Sequence, residues 1–185
     1  MKKYELLKDD AKTFNGKTLY RIRSLVAFGV IAVGDLGGYI EREENLSHHG
    51  NAWVSGNALV CGDARVYGDA LVYGDAQVSG NAWVSGDAQV YGDAWVYGDA
   101  WVYGNALVYG DSAIVWFSNV GSENGTLTVC AAKDGLFVSR GCFSGTDEAF
   151  ACAVKERHGV DSAIGREYLM LIEVARSRIA RGKED

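Results

Sequence analysis

A chain of 185 residues, 48% of them hydrophobic, is long enough to bury a core and too apolar to be a disordered polymer. Its formal net charge of −6 argues against a broad basic surface, so nucleic acid is not expected as a partner. No apolar run approaches the roughly 20 residues of a membrane span, and MKKYELLKDD lacks the apolar stretch of a signal peptide. We therefore expect no membrane partner and a location in the cytosol of the expressing (host) cell.

Residues 1–50 predict an N-terminal hairpin followed by a cap. The segment KTLYRIRSL follows the turn signal Asn15-Gly16, so it is expected to pair with KKYELL as a β-hairpin. The next segment is GVIAVGDLGGYIEREENL. Its four glycines, with Val30, Ile31, Val33 and Ile40, indicate an irregular first coil that plugs an otherwise open β edge.

Ten six-residue repeats follow without a gap from residue 51 to residue 110. They read NAWVSG, NALVCG, DARVYG, DALVYG, DAQVSG, NAWVSG, DAQVYG, DAWVYG, DAWVYG, NALVYG. Ala and Val lie two residues apart, so on a strand both point to one side and would fill a narrow interior. Gly followed by Asn or Asp is expected at the corners, because these residue types tolerate positive φ. We assign residues 51–116 to this array.

The N/D-A-x-V-x-G pattern resembles the hexapeptide-repeat family of left-handed parallel β-helices. The resemblance implies a mainly β fold, a triangular prism with three hexads per coil, and usually a homotrimer. Every third hexad would then share a face, which places large aromatic side chains in outward rows. The residues expected to form an interface or to stack are Tyr73, Tyr91, Tyr109, Trp83, Trp101 and Tyr103.

These aromatic rows have three interpretations. A monomer would expose apolar patches larger than soluble monomers usually tolerate, so self-association as a homotrimer is the first. In the second, the rings only stack on one another along each face. In the third, the rows grip a ligand or a partner protein. Outward residues in this scheme include Trp53 in the first hexad.

Residues 117–185 predict a small ββαα domain. TLTVCAA, KDG and LFVSRGCF indicate a hairpin that turns at Asp134-Gly135. That register would set Cys130 opposite Ser139 and Cys142 opposite Leu127, so these cysteines would not be cross-strand partners. The other two cysteines are Cys61 and Cys152, and free thiols are expected for all four.

Two helices should complete this domain. Thr146 is expected to cap a helix that ends at His158-Gly159, with Phe150, Ala153 and Val154 on its apolar face. Asp161-Ser162 should start a longer helix that runs to about Ala180. Its apolar positions at helical spacing are Ile164, Tyr168, Ile172, Ala175 and Ile179.

Both ends of the chain, together with the array, resemble a family of phage- and prophage-encoded repeat proteins. The motifs are KYEL, NG, LYRIR, GDLGGYIE and ENLS before the array, and VGS, GTLT, KDG, VSRGCFSGT, HG and REYL after it. In that family the number of repeats varies while both ends are retained. The resemblance implies a phage context and no particular activity.

Catalytic groups are sparse in this sequence. Many hexapeptide-repeat proteins are acyltransferases that use acetyl-CoA and need a general base, usually a histidine. The array contains no histidine, so only His49, just before it, is a candidate base, and a polar loop residue is the competing interpretation. Cysteine and histidine spacing predicts no metal site, and no cofactor is expected.

A second group of candidates precedes the first helix. Glycines, hydroxyls, one arginine and a helix start suit a phosphate or another anion. The candidate ligand-binding residues are Ser122, Arg140, Cys142, Ser144 and Thr146, although a tight turn with a helix cap also explains them. The sequence thus favours a non-enzymatic binding protein that sequesters a nucleotide-like or other anionic ligand or a host protein. An acetyl-CoA-dependent acyltransferase and a structural phage component are the alternatives.

Overall fold

The chain begins with an antiparallel hairpin. The computed structural model describes residues 1–181, except for the side chain of residue 111. Strand β1 (Tyr4–Phe14) pairs with β2 (Lys17–Ser24) across Asn15 and Gly16, whose φ angles are 49° and 74°. Two consecutive positive φ angles are typical of the type I′ turn, which matches the twist of the flanking strands. The predicted hairpin is confirmed.

The ten hexads form a parallel β-solenoid. Each hexad contributes one short strand, and each strand pairs in parallel with the strand three hexads later. The resulting faces are β4-β7-β10-β13 (first face), β5-β8-β11 (second face) and β6-β9-β12 (third face), as the resemblance implied. Strands β4 to β13 are Trp53–Val54, Leu59–Val60, Arg65–Val66, Leu71–Val72, Gln77–Val78, Trp83–Val84, Gln89–Tyr91, Trp95–Val96, Trp101–Val102 and Leu107–Tyr109.

The solenoid interior is made of the Ala and Val positions of the repeat. All ten alanines from Ala52 to Ala106 are fully buried, and so are the ten valines from Val54 to Val108, at 1% exposure or less. Each buried valine contributes about 1.5–3 kcal/mol relative to an exposed one. Backbone hydrogen bonds between coils, such as Trp53 N–H to the Ala70 oxygen at 3.0 Å, satisfy the polar groups.

The corners depend on glycine backbones and on Asn and Asp side chains. Gly80 has a φ of 68°, and a Cβ there would lie 2.9 Å from the Gly98 nitrogen of the next coil. Only the glycine of each corner has a positive φ angle. The prediction that the following Asn or Asp would also use its tolerance of positive φ is therefore wrong. Their side chains instead link coils, as where Asn81 Nδ2 donates to Asp99 Oδ1 at 2.9 Å.

A partial coil closes the N-terminal end of the solenoid. Strand β3 (Leu36–Ile40) pairs antiparallel with β2 and parallel with β5, and Leu46, after the 3-10 turn Glu43–Asn45, bridges to Val66. Of the four apolar residues expected in the plug, only Ile40 is fully buried. Val30 and Val33 are 96% and 66% exposed, so their predicted role is wrong. The chain turns back on itself at Phe28–Ile31, which points these valines outward.

The C-terminal domain contains a four-stranded antiparallel sheet instead of one hairpin. After the 3-10 turn Asp111–Ala113, the strands β14 to β17 pair in chain order. Their ranges are Ile114–Val120, Gly125–Ala132, Gly135–Arg140 and Phe143–Thr146. Strand β14 crosses residue 116, where we placed the end of the array. Residues 182–185 of the expected domain lie outside the described range.

The predicted register of the β15–β16 hairpin is wrong by two residues. Gly135 pairs with Ala132, so the turn consists of residues 133 and 134 alone. Cys130 therefore lies opposite Phe137, not Ser139, and Leu127 lies opposite Arg140, not Cys142. All four cysteines are free thiols.

Two helices pack against one face of this sheet. Helix α1 (Asp147–His158) is capped by Thr146, whose hydroxyl accepts the Ala149 N–H at 3.2 Å, and it ends at Gly159. Helix α2 (Ala163–Arg181) follows, and Ser162 Oγ accepts the Gly165 N–H at 2.9 Å. The predicted apolar faces are confirmed, since Phe150, Val154, Tyr168, Ile172, Ala175 and Ile179 are buried with the sheet. Within residues 1–181, neither helix is long and apolar enough to cross a membrane.

The other face of the sheet closes the C-terminal end of the solenoid. Ala132 bridges to Ala106 of the last hexad. The Trp101 N–H donates to Thr128 Oγ1 at 3.1 Å, and Ser139 Oγ donates to the Trp101 oxygen at 2.9 Å. Antiparallel strands thus replace the next coil and bring the β16–β17 turn beside the third face.

Candidate functional site

The aromatic side chains of the array stack along the faces. On the first face, Tyr73 and Tyr91 lie 5.0 Å apart and nearly parallel, and Tyr109 lies 5.1 Å beyond Tyr91. On the third face, Trp83 and Trp101 stack at 5.3 Å with an interplanar angle of 6°. The stacking interpretation therefore describes the contacts within one chain. Tyr109, Trp101 and Tyr103 remain 63%, 42% and 44% exposed, so apolar surface is still available at one end of the rows.

Trp53 does not belong to an exposed row. It is only 2% exposed, because Phe28 and Tyr4 cover it edge-on at centroid distances of 5.4 and 6.3 Å. Trp53 thus points out of the prism as expected, but the expectation that it is exposed is wrong, because the N-terminal cap lies against the start of the first face. This indole belongs to the core of the cap.

A cavity of about 290 Å³ opens at the edge of the C-terminal domain. We call it the basic pocket. The structure brings three of the predicted ligand-binding residues to it: Ser122, Arg140 and Cys142. Further residues lining it are Glu123, Gly141, Phe143, Phe150, Ala153, Val154, Arg157, His158 and Tyr168. Two arginines, a histidine and three aromatic rings therefore surround one space.

Arg140 is the most enclosed cation of the basic pocket. Its side chain is 11% exposed, and Nη2 donates to the Val120 oxygen at 3.0 Å. Nη1 lies 4.0 Å from a carboxylate oxygen of the exposed Glu123, and the guanidinium carbon lies 5.9 Å from the centre of the Tyr168 ring. The buried Nε has no hydrogen-bond partner among residues 1–181. The guanidinium thus supports the β14–β15 turn and keeps donor capacity unused.

The helix-start residues are used differently from the prediction. Thr146 caps α1, and the buried Asp147 carboxylate accepts Arg176 Nε at 2.6 Å. This interaction raises the pKa of Arg176. At the start of α1, the Ala149 N–H is thus capped and the Asp147 carboxylate is paired with Arg176, and Thr146 does not line the basic pocket.

Strand β17 explains why the predicted residues separate. It carries the chain away from Arg140 to Thr146, and α1 then returns along the sheet, so the end of α1 meets Arg140. Ser144 lines a neighbouring cavity on the solenoid side of the β16–β17 turn. Sequence reasoning missed Arg157 and Tyr168. The sequence indicated that a helix ends at His158-Gly159. It did not indicate that this helix end lies beside Arg140, because that depends on the strand pairing of β17.

His49 lies beside a different and wider cavity, of about 620 Å³. Its side chain is exposed, and no hydrogen bond within the described part of the chain orients its ring. The neighbouring His48 is fixed instead. Its Nδ1 accepts the Lys3 N–H at 3.2 Å, and its ring stacks on Tyr4 at 4.4 Å. A general base normally has an orienting partner, and His49 lacks one here.

Sequence comparison identifies the repeat itself. Residues 64–76, 76–88 and 88–104 match, in succession, a family model described as the YdcK beta solenoid repeat. The chain is a β-solenoid repeat protein. The match lies wholly inside the solenoid and does not reach the cap or the C-terminal domain. No curated protein sequence matches the chain.

Proposed function

We propose that this β-solenoid protein is a non-enzymatic binding protein that holds a small anionic, nucleotide-like ligand in the basic pocket. The observation that carries the proposal is the convergence of Arg140, Arg157 and His158 on a cavity with aromatic walls. Arginine forks suit phosphate and carboxylate oxygens because they donate two hydrogen bonds at once. Phe143 and Phe150 supply apolar walls for the rest of the ligand.

The size of the basic pocket supports a small ligand. Pockets for drug-sized molecules start at about 300 Å³, and this cavity has about 290 Å³. One ring with an attached anionic group is thus a better fit than a coenzyme of several parts. Cys142 and His158 line the same space, and no hydrogen bond joins them within residues 1–181. The geometry favours holding a ligand over transforming it.

The biological part of the proposal is sequestration. The motifs at both ends of the chain support a phage or prophage origin, and a binding protein in the host cytosol would lower the free concentration of its ligand. Blunting a host defence that depends on that ligand is the proposed use, with a host protein as the alternative target. The exposed rings of Trp101, Tyr103 and Tyr109 support assembly into a homotrimer.

The test combines native mass spectrometry of the purified protein with analysis of any small molecule released on denaturation. Isothermal titration with a panel of mono- and dinucleotides follows. Arg157→Gln should weaken binding by about tenfold or more, because a charge-assisted hydrogen bond contributes about 1.5–3 kcal/mol. Arg178→Gln is the matched control, since Arg178 lies about three turns beyond Tyr168 on α2 and outside the pocket.

Two outcomes would contradict the proposal. One is a protein that carries no small molecule and binds no member of the panel, which moves weight to the structural phage component. The other is equal weakening by Arg157→Gln and Arg178→Gln, which indicates a general charge effect. A monomeric mass would exclude the homotrimer but leave the basic pocket unaffected, because all its lining residues come from one chain.

An acetyl-CoA-dependent acyltransferase is the second candidate, because His49 borders a cavity that also contains Arg65 and Tyr67. This candidate predicts acetyl-CoA turnover with amine or hydroxyl acceptors that His49→Ala abolishes. His48→Ala is not a usable control, since His48 contacts Lys3 and Tyr4. Turnover that survives His49→Ala would exclude this histidine as the base.

A further inference from the structure

One column of outward side chains on the third face has a gap that the first face lacks. On the first face, Tyr73, Tyr91 and Tyr109 occupy successive coils and form an unbroken stack. The equivalent positions on the third face are Tyr67, Ser85 and Tyr103. Successive coils lie one strand spacing apart, about 4.8 Å. The column on the third face therefore lacks one ring between two tyrosines, and Ser85, which stands in its place, is 3% exposed.

The gap is part of a partly open cavity of about 250 Å³, which we call the Ser85 slot. Tyr67 and Tyr103 border it along the column, and the stacked pair Trp83 and Trp101 of the neighbouring column lines it as well. The β16–β17 turn, residues 141–142, and the first two residues of β17 close the opposite side. The slot thus lies where the C-terminal domain meets the solenoid.

Neighbouring contacts keep the slot open. Tyr67 is turned edge-on to Trp83 at 5.8 Å, and Tyr103 tilts towards Phe137 at 6.2 Å. Each tyrosine is therefore held by a ring outside the gap, and neither is paired with the other across Ser85. The cavity persists because its two walls are fixed separately.

The lining of the slot indicates the chemistry of its occupant. Every lining side chain is uncharged, and five of the eleven lining residues are aromatic. Ser139 Oγ already donates to the Trp101 oxygen, whereas the hydroxyls of Ser85 and Ser144 have no hydrogen-bond partner within residues 1–181. These two hydroxyls remain available to the heteroatoms at the edge of a ring.

We propose that the Ser85 slot binds one planar, uncharged heteroaromatic ring of the nucleobase or indole class. The ring inserts between Tyr67 and Tyr103 in the place that Tyr91 fills on the first face, with its polar edge towards Ser85 and Ser144. This site is additional to the basic pocket. The two cavities share only Gly141, Cys142 and Phe143, which lie between them.

The test uses an uncharged probe, adenosine, so that binding does not depend on an anionic group. Isothermal titration of the full chain should show saturable binding. Ser85→Tyr should reduce the affinity at least tenfold, because it fills the gap with the ring that the first face already accommodates. Ser79→Tyr, at the same repeat position on the second face, is the matched control and should bind like the unchanged chain.

Folding of the variants is checked by their thermal unfolding, and Ser85→Tyr should unfold at or above the temperature of the unchanged chain. Tyr103→Ala removes one wall of the slot and should also weaken binding. The proposal is overturned if adenosine shows no saturable binding up to millimolar concentration, or if Ser85→Tyr binds it normally. It is also overturned if Arg157→Gln, and not Ser85→Tyr, abolishes binding, because adenosine would then occupy the basic pocket. If the chain binds adenosine but no nucleotide, only the proposal for the basic pocket is contradicted.

Discussion

Strands of two or three residues build the solenoid, whereas the C-terminal sheet has strands of four to eight residues backed by two helices. The solenoid interior holds only Ala and Val along its whole array, and each coil contacts its neighbours alone. The C-terminal core instead joins residues as distant as Val120 and Ile179, including the aromatic rings of Phe150 and Tyr168. Stability is therefore distributed evenly along the solenoid and concentrated in a few large side chains of the C-terminal domain.

Removing one large side chain should separate the two regions most clearly. Ile172 is 1% exposed, and Ile172→Ala should lower the free energy of unfolding of the C-terminal domain by about 3–4 kcal/mol. Both described α-helices lie in this domain, and four of the five tryptophans lie in the solenoid. We therefore expect the helical circular dichroism signal at 222 nm to be lost at a lower temperature than the tryptophan signal. Coincident transitions in this variant would contradict the comparison.

Crowding between coils should make the solenoid corners sensitive to a single methyl group. Gly80 and Gly16 have similar positive φ angles of 68° and 74°, but only a Cβ at Gly80 would meet the next coil. Gly80→Ala should lower the free energy of unfolding by about 2–3 kcal/mol. Gly16→Ala should lower it by about 1 kcal/mol, from backbone strain alone. Urea unfolding of both variants measures the difference. Equal losses of unfolding free energy in the two variants would mean that neighbouring coils can separate to accept the Gly80→Ala methyl group without loss of stability.

The two ends of the solenoid should respond differently to pH. At the N-terminal end, Lys3 Nζ donates to the Ala52 oxygen at 2.8 Å, and burial lowers the pKa of Lys3 to about 8, although Asp69 opposes the shift. The unfolded chain, with a lysine pKa of about 10.4, binds more protons between pH 8 and 10. Lys3 should therefore contribute a rise in stability of about 1–2 kcal/mol as the pH rises through this window. The buried thiols of Cys61 and Cys130 act in the opposite direction, because burial raises their pKa values above those in the unfolded chain.

The difference in stability between the unchanged chain and Lys3→Met isolates this contribution, and it should grow in favour of the unchanged chain from pH 7.5 through 8.5 to 9.5 in urea unfolding. Burial also raises the pKa of Tyr4, which lowers stability as the pH rises, but only above about pH 10, where the tyrosine of the unfolded chain ionises. The measured range ends below that pH, so Tyr4 does not affect the result. At the other end, Thr128 and Ser139 use hydroxyls that do not titrate. Thr128→Val should lower stability by the same amount at every pH. Parallel profiles for the unchanged chain and Lys3→Met would show that Lys3 is not the source.

The solenoid was predictable because each position of the hexad has the same structural environment in all ten repeats. Burial of Ala58 and Val60 follows from their spacing, and the same argument places Trp83 and Trp101 in one row. Trp53 escaped this reasoning, because the rings that cover it, Tyr4 and Phe28, lie far away in the sequence. A periodic pattern describes contacts between coils and contains no information about the cap.

The C-terminal domain was predicted less completely for identifiable reasons. Strand β14 begins just after the 3-10 turn that follows the last hexad, so the predicted array of residues 51–116 includes the start of this strand. Strand β17 has the sequence FSGT, whose glycine and hydroxyls are also typical of a turn. Missing β17 moved the predicted anion site to Thr146, whereas the reversal through α1 brings Arg157 to Arg140. The sequence contained the right residue types, but their meeting depends on long-range strand pairing.

Three hexads per coil also constrain how a gene for such a protein changes length. Equivalent residues in neighbouring coils, such as Asn81 and Asp99, are 18 positions apart. Insertion or deletion of 18 residues shifts the C-terminal domain along the solenoid axis and preserves its orientation. A change of six residues would instead rotate the domain by one third of a turn, so the β16–β17 turn would face a different surface. The heritable unit of growth is therefore the whole coil, although the unit of sequence repetition is the hexad.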